Sequence, residues 1–168
     1  RTLMLAGGER IAADVASVIP PQRAGDIAIA ADLADASGWC PVDPASFASR
    51  RWPGVHVIGD AAFAHPIPKS ATAANSQAKL CALAIAADLA GLPAPMPQLI
   101  NTCYSLVAPD YGISVGGRYA AEDGHVVALS EGMSPLAADA AWRAREAAQA
   151  RDWYRAIVAD SFAGAARA

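Results

Sequence analysis

Asp60 follows a pattern that is typical of a ligand-binding carboxylate. The residues at 55–58, Val-His-Val-Ile, lie between Pro53-Gly54 and Gly59. Apolar and β-branched residues bounded in this way predict a short buried strand that ends at Gly59. A carboxylate at the carboxyl end of such a strand can accept hydrogen bonds from a ribose or ribityl hydroxyl. An aspartate there can equally cap the next helix, and spacing alone leaves both roles open.

The clearest helix of the sequence is predicted over residues 69–90, shortly after Asp60. Ser70 can cap this helix, alanine is frequent within it, and Gly91 and Pro93 end it. Unpaired N–H groups at the start of a helix form a site for partial negative charge. Lys69 is either a solvated residue at the helix start or a cation that stabilises a bound anion.

Three cysteines, Cys40, Cys81 and Cys103, are the thiols of the chain. They show no CxxC spacing, so we predict no metal site. An odd number of cysteines leaves at least one thiol free or paired outside this sequence. Cys40 and Cys81 are predicted to be structural. The default role of Cys103 is also that of a small buried hydrophobic residue.

The composition excludes several classes of protein. Of the 168 residues 54% are hydrophobic and 17% are charged, which predicts a folded chain with one good core or two small ones. A net charge of -3 provides no basic surface, so nucleic acid is not an expected partner. No apolar run reaches membrane-spanning length. The opening Arg-Thr-Leu lacks an initiator methionine, and we expect the chain to begin inside a larger protein.

The remaining elements are predicted from turn residues and periodicity. They comprise a hairpin around Gly7-Gly8, a strand at 14–19, a short helix within 22–34, a strand-like segment at 38–47, strands at 105–107, 111–119 and 124–129, and a helix over 134–168. The proline-rich stretch 93–97 is predicted to connect two domains. This order predicts the end of one α/β unit, the strand and helix of another, and a small α+β cap.

Several blocks of sequence together resemble a known family. They are Gly-Trp-Cys-Pro-Val-Asp at 38–43, Val-Ile-Gly-Asp at 57–60, Pro-Ile-Pro-Lys-Ser at 66–70, Ala-Asn-Ser-Gln at 74–77, Asn-Thr-Cys-Tyr-Ser at 101–105 and Tyr-Gly-Ile-Ser-Val at 111–115. These blocks resemble the carboxyl-terminal portion of the flavoprotein subunit of flavocytochrome c sulfide dehydrogenase. That family groups with the sulfide:quinone reductases among flavoproteins with two dinucleotide-binding domains.

The resemblance implies an α/β fold: partial dinucleotide-binding (Rossmann-like) flavoprotein domains, followed by a small α+β interface domain. Residues 1–37 would end the second, NAD-like dinucleotide domain. Residues 38–92 would form the carboxyl-terminal part of the FAD-binding domain, and 93–168 the flavin-binding interface cap. No GxGxxG occurs in the sequence, so the ADP-binding fingerprint is expected upstream of Arg1.

The resemblance also implies a site for FAD. Gly59 and Asp60 match the residues that hold the ribityl chain. Residues 68–71, which are Pro68, Lys69, Ser70 and Ala71, match the helix start that faces the flavin pyrimidine edge. Trp153 matches an aromatic residue near the flavin, towards a c-type cytochrome subunit.

The chemistry that the resemblance implies depends on Cys103, which matches one half of a redox-active disulfide. Sulfide would attack the disulfide, and the released thiolate would pass electrons to the flavin. The partner cysteine would lie outside this chain, so the fragment would be inactive alone. The implied protein is an FAD-dependent sulfide dehydrogenase of the periplasm, with a c-type cytochrome as acceptor and no requirement for a membrane.

Two alternatives remain open at this point. A sulfide:quinone reductase would keep the fold and transfer electrons to quinone, which would favour an amphipathic carboxyl terminus. A non-catalytic interaction module would retain only the cap. Thr72 occupies a position where some cytochrome-linked relatives have an aromatic residue, which implies that the electron exit differs in detail or that the acceptor is not the usual dihaem cytochrome.

Overall fold

The computed structural model of the protein describes residues 2–94, 96 and 98–162. Over these residues the chain is a mixed α/β structure with small sheets and three α-helices. Its elements are β1 Thr2–Met4, β2 Arg10–Ala12, α1 Asp26–Ala30, β3 Cys40–Pro41, a 3-10 turn at Gly59–Ala61, β4 Ala62–Phe63, α2 Ala71–Leu89, β5 Leu99–Ala108, β6 Tyr111–Glu122, β7 His125–Met133 and α3 Ala140–Phe162.

The amino-terminal predictions are partly confirmed. Strands β1 and β2 form the predicted antiparallel hairpin, with Leu3 opposite Ile11 and a turn at Gly8, whose φ is +85°. Helix α1 is confirmed but has only five residues. The predicted strand at 14–19 is wrong, because this stretch finds no neighbouring strand and Ile19 is 90% exposed.

The predicted buried strand at 55–58 is also wrong. His56 makes only an isolated bridge with Ala48, and Val57 donates its N–H to Phe47 O at 2.9 Å. Val57 is buried, whereas Ile58 is 41% exposed. Residues 55–58 therefore belong to an irregular segment and do not form a strand of a sheet. The strand that does pair in this region is β4, which follows the 3-10 turn and lies parallel to β3 over two residues.

Helix α2 confirms the strongest prediction from the sequence. It starts directly after Ser70, whose Oγ accepts a hydrogen bond from the N–H of Ala73 at 3.1 Å. It ends before Gly91, which has a φ of +65°. The buried side of α2 joins a core that also contains β3, β4 and the start of β5. The members of this core on α2 are Ala73, Leu80 and Cys81.

Strands β5, β6 and β7 form one antiparallel sheet, which confirms the three predicted strands although each is longer than predicted. The side chains of β5 alternate between the two faces of this sheet. Tyr104 faces α3, where its ring lies 6.2 Å from that of Trp153. Helix α3 packs against β6 at Gly112, where a Cβ atom would lie 2.4 Å from the backbone N of Ala147.

A buried polar network fixes α3 against the sheet. The carboxylate of Glu146 accepts hydrogen bonds from Ser114 Oγ at 2.8 Å and Ser134 Oγ at 2.5 Å. Arg143 lies 3.4 Å from Glu146 and donates to Pro135 O at 2.7 Å. Burial raises the pKa of Glu146, but the two hydroxyl donors and Arg143 outweigh burial and hold this pKa below its usual value.

The predicted fold class is confirmed only at the level of a mixed α/β structure. Within the described residues the pairing of β3 with β4 is the one parallel contact between strands. A Rossmann-like arrangement and the division at 1–37, 38–92 and 93–168 therefore remain predictions. In the part of the chain that the structure describes, no helix is long and apolar enough to cross a membrane.

We expect Gly112→Ala to destabilise the chain by about 3 kcal/mol, because the new methyl group overlaps the backbone of α3, which cannot move like a side chain. The measurement is urea unfolding followed by circular dichroism. Gly132→Ala is the matched control, because its Cβ would meet nothing within 4 Å. Equal stability of the two variants would contradict the close packing of α3 on β6.

The network around Glu146 predicts a loss of stability in acid. Because its pKa is lowered by folding, the stabilisation is present above the unfolded value of about 4.3 and disappears as pH falls through the folded value. Glu146→Gln should lower the free energy of unfolding at pH 7 by about 3 kcal/mol, since Arg143 is left buried without its counter-ion. It should also reduce the fall in stability between about pH 5 and pH 3.

The control for this prediction is Glu122→Gln, which removes an exposed carboxylate from the end of β6. Denaturant titrations at several pH values should superimpose for this variant and the wild type. An unchanged pH dependence in Glu146→Gln would disprove the stabilising role of the carboxylate.

Candidate functional site

Asp60 lies in a loop that is fastened to helix α2. Gly59 has a φ of +69° and donates its N–H to the side chain of Gln77 in α2 at 2.6 Å. A Cβ on Gly59 would lie 3.5 Å from Cβ of Ala74, so the loop passes close to the helix. The Asp60 side chain is exposed, and its carboxylate has no hydrogen-bond partner among the described residues. This carboxylate is therefore free to bind a ligand.

The alternative role of Asp60 as a helix cap is wrong. Ser70, and not Asp60, caps α2 through its bond to Ala73. The first backbone bond of the helix runs from the Ala74 N–H to Ser70 O at 2.9 Å. The N–H groups of Ala71 and Thr72 precede that bond, and neither finds an acceptor in the described part of the chain. They are available to a partial negative charge.

Lys69 links the Asp60 loop to the start of α2. Its Nζ donates to Asp60 O at 2.5 Å and to Ala62 O at 3.1 Å, and it lies 3.7 Å from the centre of the Trp39 ring. Burial lowers the pKa of Lys69 below its usual value, although the nearby Asp60 carboxylate opposes this shift. Lys69 is therefore a structural cation at the site, and its ammonium group is not simply solvated.

A cavity of about 230 Å³ opens between this loop and the helix. Its walls include most of the residues that the sequence predicted to bind a cofactor: Gly59, Asp60, Pro68, Lys69 and Ser70. Ala71 lies next to the cavity, exposed in the first turn of α2. Cys103 and Trp153 do not line it.

Cys103 is exposed on β5, so its default role as a buried hydrophobic residue is wrong. Its Sγ lies 3.7 Å from Nδ2 and 3.8 Å from Oδ1 of Asn101. The Asn101 side chain in turn is hydrogen bonded to Ser70 Oγ. A short chain of contacts therefore connects the thiol to the cap of α2. Cys40 and Cys81 are buried, as predicted, and burial raises the pKa of both thiols.

A polar row that the sequence did not predict lies on the same face of the sheet as Cys103. Gly117 pairs with Asn101 on β5 and with Glu131 on β7. The hydroxyl of Tyr119 occupies the space that a Cβ of Gly117 would need, 2.5 Å away, and donates to Glu131 at 3.0 Å. Burial and the bond to Glu131 raise the pKa of Tyr119 to about 12. The sequence contained one signal for this arrangement, which is that Gly117 lies two residues before Tyr119.

Trp153 borders a second and larger cavity, of about 800 Å³, between α2, β5 and α3. Thr72 lies in the same wall and donates to Thr102 O at 2.8 Å. Lys79 and Asp160 form an ion pair in this wall. The structure therefore places Trp153 and Asp60 in different cavities, with the first turns of α2 contributing to both.

The described residues contain no group of three or more histidine, cysteine or carboxylate side chains that could hold a metal ion. His56 and His65 are exposed. His65 lines the smaller cavity.

Residues 95–162 match the family model described as flavocytochrome c sulphide dehydrogenase, flavin-binding. The matched segment covers less than half of the chain and includes Cys103, Trp153 and the sheet that carries the polar row. It confirms the resemblance drawn from the sequence and supports FAD as the cofactor. The family implies a flavin oxidoreductase, and its name implies a cytochrome partner.

The residues present fit this cofactor. A free carboxylate at Asp60 can accept hydrogen bonds from sugar-like hydroxyls, and the free N–H groups of Ala71 and Thr72 can donate to a carbonyl edge. The small side chains Ala73 and Ala74 in the wall of the cavity leave room for a planar group. FAD offers both hydroxyl donors and an acceptor edge, so the donor set of the chain is complementary to it.

We expect one fast-reacting thiol in the folded, reduced chain. Cys103 should react with a thiol reagent such as DTNB at least about tenfold faster than Cys40 or Cys81, which must wait for local opening. Absorbance gives the number of fast thiols, and mass spectrometry identifies the labelled cysteine. Cys103→Ser should remove the fast phase, whereas Cys81→Ser should keep it. A fast phase that survives Cys103→Ser would contradict the exposure of this thiol.

Proposed function

We propose that this chain is the FAD-contacting, carboxyl-terminal portion of a sulfide dehydrogenase that transfers electrons to a c-type cytochrome. One observation carries the proposal: contacts through Ser70 and Asn101 connect the exposed thiol of Cys103 to the helix start that borders the Asp60 cavity. The cofactor site and the sulfur chemistry thus meet at one end of α2.

In this proposal the chain binds the cofactor by two groups. Asp60 accepts hydrogen bonds from the ribityl hydroxyls, and the first N–H groups of α2 donate to the pyrimidine edge. Lys69 holds these two groups at a fixed separation through its bonds to Asp60 O and Ala62 O. The positive end of the helix and the Lys69 ammonium favour negative charge at that edge.

The sulfur step proceeds at Cys103, in a disulfide with a cysteine from outside this chain. Sulfide attacks the partner sulfur, a new S–S bond forms, and Cys103 leaves as a thiolate with the electron pair of the broken bond. A second sulfide removes the sulfane sulfur and frees the partner thiolate. The two thiolates re-form the disulfide as two electrons leave. FAD supplies the two-electron acceptor for this step.

Electrons leave, we infer, on the side of the larger cavity. Trp153 and Tyr104 give this cavity an aromatic wall, and the Lys79–Asp160 pair supplies polar groups that a protein partner can match. We place the reaction in the periplasm, because a disulfide persists in an oxidising compartment.

Quinone is the second candidate acceptor. Two features of the larger cavity favour quinone. The walls of this cavity are mainly apolar, and Thr72 is small where an aromatic residue would fill the space. The two acceptors can be distinguished by measurement, because only a cytochrome acceptor requires electrons to pass to a haem protein in solution.

The test uses the protein as its gene encodes it, loaded with FAD and mixed with sulfide without oxygen. The wild-type flavin absorbance should bleach, and c-type cytochrome should re-oxidise it. Cys103→Ser should keep FAD but lose sulfide-dependent bleaching, because no disulfide can form. Dithionite should still bleach this variant. Asp60→Ala should instead lower FAD content by about tenfold, because a charged hydrogen-bond acceptor is lost.

Sulfide bleaching of Cys103→Ser at the wild-type rate would exclude the disulfide mechanism. Re-oxidation by a soluble quinone but not by cytochrome c would replace the proposed acceptor with quinone. Failure of the wild-type protein to bleach with sulfide, while dithionite bleaches it, would exclude sulfide as the donor.

A further inference from the structure

Asn101 is a buried side chain whose neighbour is an exposed thiol. It is 2% exposed, and it lies on β5 where that strand meets the start of α2. An amide carries one acceptor oxygen and two N–H donors, and burial is costly unless these groups find partners. The other partners of Asn101 therefore determine which of its groups is left to interact with Cys103.

The helix cap decides the orientation of this amide. Ser70 Oγ accepts the N–H of Ala73 at 3.1 Å, so the hydroxyl proton of Ser70 remains free to donate. That proton goes to Oδ1 of Asn101, which is hydrogen bonded to Ser70 Oγ. With its oxygen engaged by Ser70, the amide has its NH₂ group left to donate, and Nδ2 lies 3.7 Å from Cys103 Sγ. Oδ1 lies 3.8 Å from the same sulfur and can accept the S–H of the neutral thiol, whereas a thiolate can interact favourably only with the N–H group.

An N–H group aimed at sulfur stabilises a thiolate more than a neutral thiol, because the donor interacts with the full negative charge. We propose that Asn101 is a positioning residue for Cys103: oriented by the cap of α2, its amide N–H donates to the sulfur when Cys103 leaves as a thiolate. This inference rests on the proposed function, because the proposed sulfide oxidation supplies the step in which Cys103 leaves as a thiolate.

The step in which the amide acts is the opening of the disulfide. As sulfide attacks the partner sulfur, the Cys103–partner bond breaks and its electron pair moves onto Cys103 Sγ. Negative charge grows on an atom that already faces the amide of Asn101. Because the amide is held by Ser70 before the reaction, it need not reorient as the charge develops.

Other polar groups near the sulfur are committed to different partners. Tyr119 and Glu131 lie on the same face, from β6 and β7, and the Tyr119 hydroxyl is committed to Glu131 at 3.0 Å. Burial raises the pKa of Tyr119 to about 12, so it stays neutral in the working range. Lys69, at the start of α2, directs its ammonium to the carbonyls of Asp60 and Ala62. Asn101 is the side chain with a donor towards Sγ in the described residues.

The test measures Cys103 alkylation by iodoacetamide in the whole, reduced chain between pH 6 and pH 10. Peptide mass spectrometry follows Cys103 separately from Cys40 and Cys81. Asn101→Asp keeps the shape and the acceptor for Ser70 but places a carboxylate beside the sulfur. It should move the pH–rate profile up by about one unit, so alkylation at pH 7 should be about tenfold slower.

Two further variants keep the test decisive. Asn75→Asp makes the same chemical change at the other asparagine of the chain, on α2, and should leave the profile at the wild-type position. Ser70→Ala removes the hydroxyl that orients the amide and should shift the profile in the same direction as Asn101→Asp, by less. Unfolding of a variant would be recognised by equal alkylation of Cys40, Cys81 and Cys103.

Coincident profiles for the wild type, Asn101→Asp and Ser70→Ala would overturn the inference. Because alkylation needs neither flavin nor sulfide, its result is independent of the proposed function. A shifted profile together with failed sulfide oxidation would reject only the function, and an unshifted profile with normal oxidation would reject only the role of Asn101.

Discussion

One hydroxyl group, that of Ser70, joins the parts of this molecule on which the site depends. Its oxygen caps α2 by accepting the N–H of Ala73, and its proton binds Asn101 on β5. Loss of a serine cap typically costs a helix about 1 kcal/mol. Here the same group also fixes the position of a strand relative to the helix. The free N–H groups of α2 and the thiol of Cys103 consequently have defined positions relative to each other.

The sheet that carries Cys103 is held by close contacts that require glycine. Gly112 lets α3 approach β6, where a Cβ would overlap the helix backbone. Gly117 makes room for the Tyr119 hydroxyl between Asn101 and Glu131. The Glu146 network then anchors α3 from the other side of the sheet. Packing on one face of the sheet thus supports polar chemistry on the other.

The sequence predicted well those features that depend on neighbours along the chain. The Ser70 cap, the end of α2 near Gly91 and the three strands β5–β7 follow from local signals. The strands predicted at 14–19 and 55–58 failed because a strand also needs a partner, and turn residues do not reveal one. Spacing likewise left the cap role of Asp60 open until the structure showed Ser70 as the cap of α2, and its ligand role stays a prediction.

The three cysteines show what local signals could not predict about the site: the surroundings of each thiol. They are the same residue type without distinctive spacing, yet two are sealed in the core and the third is exposed. The exposed thiol lies beside Asn101, whose contact with Ser70, 31 positions away along the chain, forms only after β5 has packed on α2. No local pattern encodes a contact of that separation. Reactivity at Cys103 is therefore a property of the junction between helix and strand, and any substitution that moves this junction should alter the thiol and the cofactor cavity together.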